Sequence, residues 1–571
     1  MNDAKELIAK VISDLLEKNI STDEIVSLLE TPKFSENGDL AFPCFRLAKL
    51  YKKAPALIAD ELKGKIESNM PSLIKKVEAV SGYLNFFVDN TSLNNKIVQE
   101  ILETKDKCVE QEIGKGKTVC VDYSSPNIAK PFHIGHLRST VIGAAICNIY
   151  KALGYNVVGI NHLGDFGTQF GYVIEGYKMW GKDYDLTVEP IKKLVEIYVK
   201  INALAKEDES IVERARNNFK LLEEGDKETV SLWETFRNYS LQEYKRIYDK
   251  LDIHFDSYNG EAFYNDKMQE IVDILNESGK LEESQGAQVV NVKCNDVPCM
   301  ILKSNGSTTY ATRDLAAVLY RAREYNYDKC LYLTGYEQIL HFKQVFEVAE
   351  NIVGREKAQG LEHVPFGMIL GPGGKKFSTR KGAAATIDDV LNDAIDKARE
   401  ILEAKGKVED NIEETAAIIG IGSVIFNDLK NNRIKDEVFD LDEMLKFEGE
   451  TGPYVQYTYV RTQSILAKAG VLDLDFEYDA SILNEKSEIA LIKLLENRKE
   501  MVKNASVQNE PSIITRYVID VASAFSKYYG EHQIIVDDEK LKYARLALVK
   551  ATGFVIKACL GLLGIKSPNK M

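Results

Sequence analysis

The start of the chain carries apolar residues at helical spacing: Leu7, Ile8, Val11, Ile12, Leu15 and Leu16 predict an amphipathic helix over residues 1–30. Residues 35–39, Ser-Glu-Asn-Gly-Asp, form a turn cluster, and a further helix is predicted through about Lys65. Residues 82–88 read as a strand of a small α+β unit. Near Gly114-Lys115-Gly116-Lys117 the pattern changes. A short apolar strand (119–123) leads to a polar loop (124–135), a helix (136–153) and a second apolar strand (156–160). Leu137, Val141, Ala145 and Ile149 mark one i+4 stripe of that helix. Strand, helix and strand in this order predict a βαβ unit of a parallel, doubly wound, Rossmann-like sheet. Residues 190–250 are mostly charged amphipathic helix and read as an insertion. Strand-like segments return at 289–292, 330–333 and 367–370, and from about Glu413 helix follows helix. The expected division is an α+β accessory domain (1–112), an α/β catalytic domain (113–440) and an all-α domain (441–571).

Composition adds limits to this picture. With 571 residues, 45% hydrophobic and 28% charged, the chain is long enough for several domains, each with its own core. No apolar run approaches the ~18 residues of a membrane span, and the charged first residues lack a signal-peptide layout. A cytoplasmic protein with no membrane partner is expected. The 8 cysteines are scattered without a Cys-x-x-Cys. Cys294 and Cys299, the closest pair, have no partners at zinc spacing, so no zinc and no other metal site is expected. The net charge of −14 argues against indiscriminate nucleic-acid binding, but local basic patches still count, since phosphate contacts depend on nearby charge. Residues 537–571 hold seven Lys/Arg against three Asp/Glu.

The first βα loop is where chemistry concentrates. His133-Ile134-Gly135-His136 stands where the loop enters its helix. A helix N-terminus presents unpaired N–H groups and positive dipole, which suits nucleotide phosphates. Two imidazoles three residues apart can both point at phosphate charge, and Gly135 removes a side chain so that a nucleotide can pack on the backbone. Standing alone, the pair would also read as two helix-capping histidines. A second basic loop, Gly371-Pro372-Gly373-Gly374-Lys375-Lys376-Phe377-Ser378-Thr379-Arg380-Lys381-Gly382, has the composition of a mobile segment that closes over a triphosphate.

The run Ser125-Pro126-Asn127-Ile128-Ala129-Lys130-Pro131 into His133, with Asn161-His162-Leu163-Gly164-Asp165-Phe166-Gly167-Thr168-Gln169 after the next strand, resembles the arginyl branch of the class I aminoacyl-tRNA synthetases. The resemblance spans the whole chain from Asn37-Gly38-Asp39 onward. It implies an ATP-dependent ligase that forms arginyl-adenylate and passes arginine to tRNA. ATP with Mg2+ enters as the substrate complex and no cofactor is tightly bound. Partners are L-arginine, ATP and the arginine tRNA isoacceptors, and the state is a monomer. Lys130, His133, His136, Lys376, Arg380 and Lys381 are then the catalytic residues, with His133, Gly135, His136, Lys376 and Ser378 on ATP. Asp122, Asn127, His162, Tyr310, Asp314 and Gln338 match the arginine pocket. A guanidinium is a planar five-fold donor, so carboxylates in a fixed fork suit it. Taken singly, Asp314 reads as a cap or surface acid and Tyr310 as a rim aromatic.

Two departures from the family pattern stand out. Phe166 replaces a usual tryptophan. Thr379 replaces the second lysine of the mobile loop, a loss shared by many arginyl enzymes, in which a lysine before the His-x-Gly-His compensates; here that is Lys130. For tRNA, the resemblance implies Tyr83 and Asn85 at its outer corner, and Tyr454, Tyr457, Arg461, Tyr529 and the terminal Met571 at the anticodon. Tyr83 alone also reads as a buried tyrosine of a small sheet. Another class I synthetase and a silent RNA-binding paralogue are the rival readings. The acidic acceptors and the intact His133, His136 and Lys130 weigh against them.

Overall fold

The structure is a computed structural model that describes residues 2–32, 37–71, 73–371, 385–404, 406, 411–471, 476–568 and 570–571. The chain forms two compact units: Met1–Cys108 with Thr462–Arg498 and Asp520–Val555, and Val109–Arg461 with Lys499–Ile519 and Ile556–Met571.

In the first unit the amphipathic start is two helices rather than one, α1 (Asn2–Leu15) and α2 (Thr22–Leu28). The apolar stripe ends at Leu16, Glu17 and Lys18 turn left-handed, and Ser21 caps α2 by accepting from Glu24 N–H at 3.2 Å. The helix expected to run to Lys65 is also divided. It begins as a strand, β1 (Leu40–Pro43), and continues as α3 (Leu47–Tyr51) and α4 (Pro55–Glu67). Leu40, Ala41 and Phe42 are buried by pairing with a neighbouring strand, and Pro55 starts α4, where a missing N–H costs nothing. β2 (Ile74–Val80), β3 (Tyr83–Val88) and α5 (Asn90–Thr104) follow, with the antiparallel order β1-β3-β2. Asp39 of the turn accepts from Val88 N–H at 2.8 Å and pairs with Lys493. Buried Arg498 donates to the Cys108 carbonyl at 2.8 Å and pairs with Glu100 at 2.9 Å.

The second unit is built on an all-parallel sheet. Its first βαβ unit is β4 (Thr118–Asp122), α6 (Leu137–Ala152) and β5 (Asn156–Ile160), as the apolar runs predict. After it come α7 (Thr168–Trp180), α8 (Pro190–Leu204), α9 (Glu209–Glu223) and α10 (Lys227–Lys250), the last three covering the stretch expected to be a helical insertion. α11 (Met268–Glu277) precedes β6 (Glu282–Ser284), β7 (Ala287–Val290) and β8 (Cys299–Leu302), which form a separate antiparallel sheet. The strand expected at 289–292 thus belongs to this side sheet. α12 (Tyr310–Tyr325), β9 (Lys329–Tyr332), α13 (Ile339–Gln359) and β10 (Leu361–His363) complete the parallel sheet, order β10-β9-β4-β5. The chain crosses from β4 to β5 on one side and returns to β9 on the other, so a crevice opens at the carboxyl end of β4. Leu315, Val318, Val345 and Val348 of α12 and α13 pack on Cys330 and Ile160, forming the core of one face.

β11 (Ile369–Leu370), α14 (Ile387–Ala404), α15 (Ile412–Lys430) and β12 (Glu437–Val438) come next, with β11 and β12 paired in parallel. The short α16 (Leu441–Met444) leads to α17 (Gly452–Lys468), α18 (Lys486–Glu496), α19 (Arg498–Gln508), α20 (Ser512–Glu531) and α21 (Glu539–Leu562). Among the described residues no helix is long and apolar enough to cross a membrane.

Candidate active site

The carboxyl ends of the parallel strands gather the polar side chains: Asp122 from β4, Asn161 and His162 after β5, and Thr334 and His363 at β9 and β10. The segment following β4 is held in an unusual backbone shape, with Ser124, Ser125 and Ala129 all at positive φ. Asn127 forms a backbone bridge with Gly164. A Cβ on Gly164 would lie 2.1 Å from the Asn127 amide oxygen, so the two predicted motifs meet only because that position is glycine.

His133 caps the short turn Ile134–His136 that opens α6, its Nδ1 accepting from Gly135 N–H at 3.1 Å. The His133 and His136 rings lie 4.0 Å apart, and His136 Nδ1 is 3.2 Å from the His133 carbonyl. Burial, then the neighbouring His133 and Lys130 charges, hold His136 down at about 3, so it is neutral at physiological pH. Gly135 is exposed, and a Cβ there would come within 2.9 Å of the His133 ring. Lys130 is half-buried three residues before His133. Lys376, Ser378, Thr379, Arg380 and Lys381 lie outside the described residues. The chain resumes at Ala385, where Ile134 N–H donates to the Ala385 carbonyl and Ile387 N–H to the Phe132 carbonyl, each at 2.9 Å. The segment just after the basic loop is therefore stitched by backbone to the histidine turn.

The predicted amino-acid residues are only partly available to a ligand. Asp122 is buried, and its two oxygens accept from Arg321 Nη2 at 2.7 Å and Ser125 Oγ at 2.9 Å. A guanidinium from within the chain already occupies it, so Asp122 does not stand open as one arm of a substrate fork. His162 lies 3.3 Å from the same Arg321 and stacks on Tyr264 with centroids 5.4 Å apart. Burial lowers its pKa, the nearby Arg321 adding to this against Asp122. Tyr310 opens α12 with 72% of its surface exposed. Asp314, one turn on, is 2.6 Å from His341 Nε2. Gln338 is exposed at the start of α13.

Sequence reasoning missed Glu261. Its carboxylate lies 3.6 Å from Arg313 Nη1, and burial lifts its pKa to about 7, with Asp165 and Asp314 adding to the rise against Arg313. Glu261 opens a 3-10 helix, Glu261–Lys267, that carries none of the motifs named above.

The tRNA candidates are dispersed. Tyr83 is half-buried edge-on to Phe45, centroids 5.1 Å apart, while Asn85 beside it is only 4% exposed. The expectation that Asn85 reads a base edge thus meets a buried amide on the middle strand. In the second unit, Tyr454, Tyr457 and Arg461 are half-buried on α17, with the Arg461 guanidinium 4.7 Å from the Tyr457 ring centre. Met571 packs on the apolar cluster of Ala398, Leu402, Ala416 and Ile419. In the first unit, Tyr529 is 39% exposed and stacks on Phe525.

Comparison with known proteins covers every part of the chain. Residues 97–441 match the family model described as tRNA synthetases class I (R), catalytic domain. Residues 2–88 match the arginyl tRNA synthetase N terminal domain, and residues 455–571 the DALR anticodon binding domain. The arginine–tRNA ligase of Alkaliphilus metalliredigens is 46% identical over 572 residues, and that of Clostridium perfringens 48% identical over 571, with 100% of each chain covered. The solved arginyl-tRNA synthetase of Thermus thermophilus shares the fold with a TM-score of 0.83 at 24% identity, covering 99% of this chain and 100% of that one. Sheet, histidine turn and family match together define a class I aminoacyl-tRNA synthetase. Within that class the chain belongs to the arginine–tRNA ligase family.

Proposed function

We propose that the chain activates L-arginine with ATP and transfers it to the 3′-terminal adenosine of arginine tRNAs, acting in the cytoplasm as a monomer. The arginine carboxylate attacks the ATP α-phosphorus and pyrophosphate leaves. The terminal adenosine hydroxyl then attacks the adenylate's carbonyl carbon and AMP leaves. ATP arrives with Mg2+, which supplies part of the charge on its phosphates. His133 and His136, at the entry to α6, donate to the α-phosphate as it gains negative charge. Lys130 supplies a cation on the same side, and Lys376, Arg380 and Lys381 approach the leaving pyrophosphate. Asn127 and Gln338 hold the amino and carboxyl groups of arginine.

The side chain of arginine is read by Asp314 and Glu261, with Tyr310 at the rim. Asp122 fixes Arg321 and, with His162, forms the floor. The observation that carries this reading is the second carboxylate, Glu261, only 20% exposed at its side chain and 3.6 Å from Arg313, the residue next to Asp314. Selectivity comes from two half-buried carboxylates whose negative charge favours a planar cationic side chain over a neutral one. Tyr83, Tyr457, Arg461 and Tyr529 supply stacking and phosphate contacts to tRNA. Domains of 1–112, 113–440 and 441–571 divide this work among corner, chemistry and anticodon.

Pyrophosphate exchange with each amino acid in turn, with and without tRNA, tests the reading. Arginine alone should support exchange. Faster exchange with another amino acid would reassign the pocket. Failure with all of them, with tRNA present and bound, would make the chain a silent RNA binder.

A further inference from the structure

Helix α10 reaches the loop that carries the chemistry. That loop needs outside support, because Ser124, Ser125 and Ala129 hold φ values of 68°, 46° and 55°. Such conformations are costly for residues with a Cβ and persist only where their surroundings over-determine them. Ser139 Oγ accepts from Ser124 N–H at 2.9 Å and Asp122 from Ser125 Oγ at 2.9 Å, and α10 adds three side chains at i, i+4 and i+8, one face of the helix. Ser240 Oγ accepts from Ala129 N–H at 3.0 Å and donates to the Phe236 carbonyl at 2.8 Å. Tyr248 OH lies 2.8 Å from Ser124 Oγ and accepts from Asn161 Nδ2 at 2.9 Å. Between them, Tyr244 OH lies 2.7 Å from the Asn127 carbonyl and 2.9 Å from the Lys130 carbonyl. Tyr244 is fully buried, its ring 5.1 Å from that of Phe132.

A phenol has one proton, so Tyr244 shares it between two carbonyls three residues apart. That contact draws the two ends of the Asn127–Lys130 turn together. We infer that Tyr244 is a positioning residue of the adenylation site, pinning both carbonyls and so setting where the Asn127 amide and the Lys130 ammonium lie. This rests on the assignment of Asn127 and Lys130 to the site. It also gives α10 a role in the reaction: the helix braces the loop from outside the sheet.

Tyr244→Phe removes one oxygen and leaves the ring on Phe132. Arginine-dependent pyrophosphate exchange is measured for the full chain, for Tyr244→Phe, for Lys130→Ala and for the double variant, each corrected for active-site concentration. Tyr244→Phe should lower kcat about tenfold or more, since small misplacements of reacting groups carry losses of that order. It should also raise the arginine KM. In the double variant kcat should fall no further than with Lys130→Ala alone, because the hydroxyl cannot position an ammonium that is gone, while the arginine KM shift through Asn127 persists. A merely structural tyrosine would lower the melting temperature and give losses that multiply in the double variant. Wild-type kinetics for Tyr244→Phe, or multiplied losses, would overturn the proposal. Should Lys130→Ala alone be silent, the Lys130 assignment falls. The arginine KM of Tyr244→Phe then decides, a rise sustaining positioning through Asn127 and no change ending it.

Discussion

In the proposed arginine pocket, Glu261 gives the recognition of a cation a dependence on pH. Glu261 is lifted to about 7 by burial and by its acidic neighbours. A carboxyl raised in the folded state takes up a proton there that the unfolded chain does not hold. Stability therefore falls as pH rises from the ordinary carboxylate range through about 7, and levels off above it. Arginine binding runs the other way, since the cation needs the ionised form. The arginine KM should rise as pH drops below about 7, and Glu261→Gln should flatten that dependence while raising KM at pH 8. Asp314→Asn should cost about 2–4 kcal/mol of arginine binding at every pH, the range for breaking a close charge pair. His133→Ala and His136→Ala should instead lower kcat by about 10²–10³ with arginine KM nearly constant, since their partner is phosphate charge. His136, neutral down to about 3, adds no pH dependence of its own. Measuring KM for arginine and for ATP separately from pH 6 to 8 separates the two groups. Equal shifts in both constants for the acid variants would place Glu261 and Asp314 outside the amino-acid pocket.

Among the elements, apolar runs and long amphipathic stripes were legible, and short or alternating strands were not. β4 read cleanly as an apolar run because, inside the parallel sheet, it is covered above and below. β5, at the sheet edge and only half-buried at Val157 and Val158, read as apolar from Val157 to Ile160. β2 alternates Ile74 and Val77 with Lys75, Lys76 and Glu78, and β1 is only Leu40–Pro43, so neither stands out beside helical neighbours. The brace of α10 was invisible for a different reason, since Tyr244 lies 114 residues from Lys130 and no periodicity links them. The histidine turn was legible as a motif, yet its tie to the chain beyond the basic loop runs through backbone hydrogen bonds at Ala385 and Ile387, which no side-chain pattern announces. One further link between elements can be tested. Arg138 of α6 and Asp428 of α15 form an ion pair at 3.0 Å, both buried, and Arg138 also donates to the Lys435 carbonyl at 2.7 Å. Burial outweighs the help from Arg138 and lifts Asp428 to about 6. Arg138→Met should destabilise the fold by about 3–5 kcal/mol, because it strands a buried carboxylate. With a raised carboxyl the penalty is full above its pKa and relieved by protonation. The deficit in melting temperature should thus shrink as pH is lowered towards 5. A pH-independent deficit would mean that packing, not charge, accounts for the loss.

At the scale of the whole molecule, a chain of net charge −14 has to bind a polyanion. Long-range attraction cannot do this, since at physiological salt charges more than about 8 Å apart are largely screened. Binding must therefore come from local lysines and arginines whose contacts release counterions, and each such contact contributes to the salt dependence of affinity. The C-terminal segment is where the balance turns basic, and Lys540 and Lys557 are exposed on α21. Neither is near the residues assigned to chemistry in sequence or role. Lys540→Gln and Lys557→Gln should each weaken tRNA binding and reduce the slope of log affinity against log salt by about 0.7–0.9 for a lost phosphate contact. Pyrophosphate exchange at saturating tRNA should stay at the parent rate, because the adenylation groups are untouched. Tyr529→Ala offers the contrast. Losing a stacking aromatic should cost about 1–3 kcal/mol of tRNA affinity while leaving the salt slope as it was, since no counterion is exchanged. Titrations at several salt concentrations between about 50 and 300 mM, over which the screening length falls from about 14 to about 6 Å, read both effects from one data set. A slope unchanged in both lysine variants would move the electrostatic contact away from α21. A slope lowered by Tyr529→Ala would mean that the aromatic holds a neighbouring cation in place rather than stacking on a base.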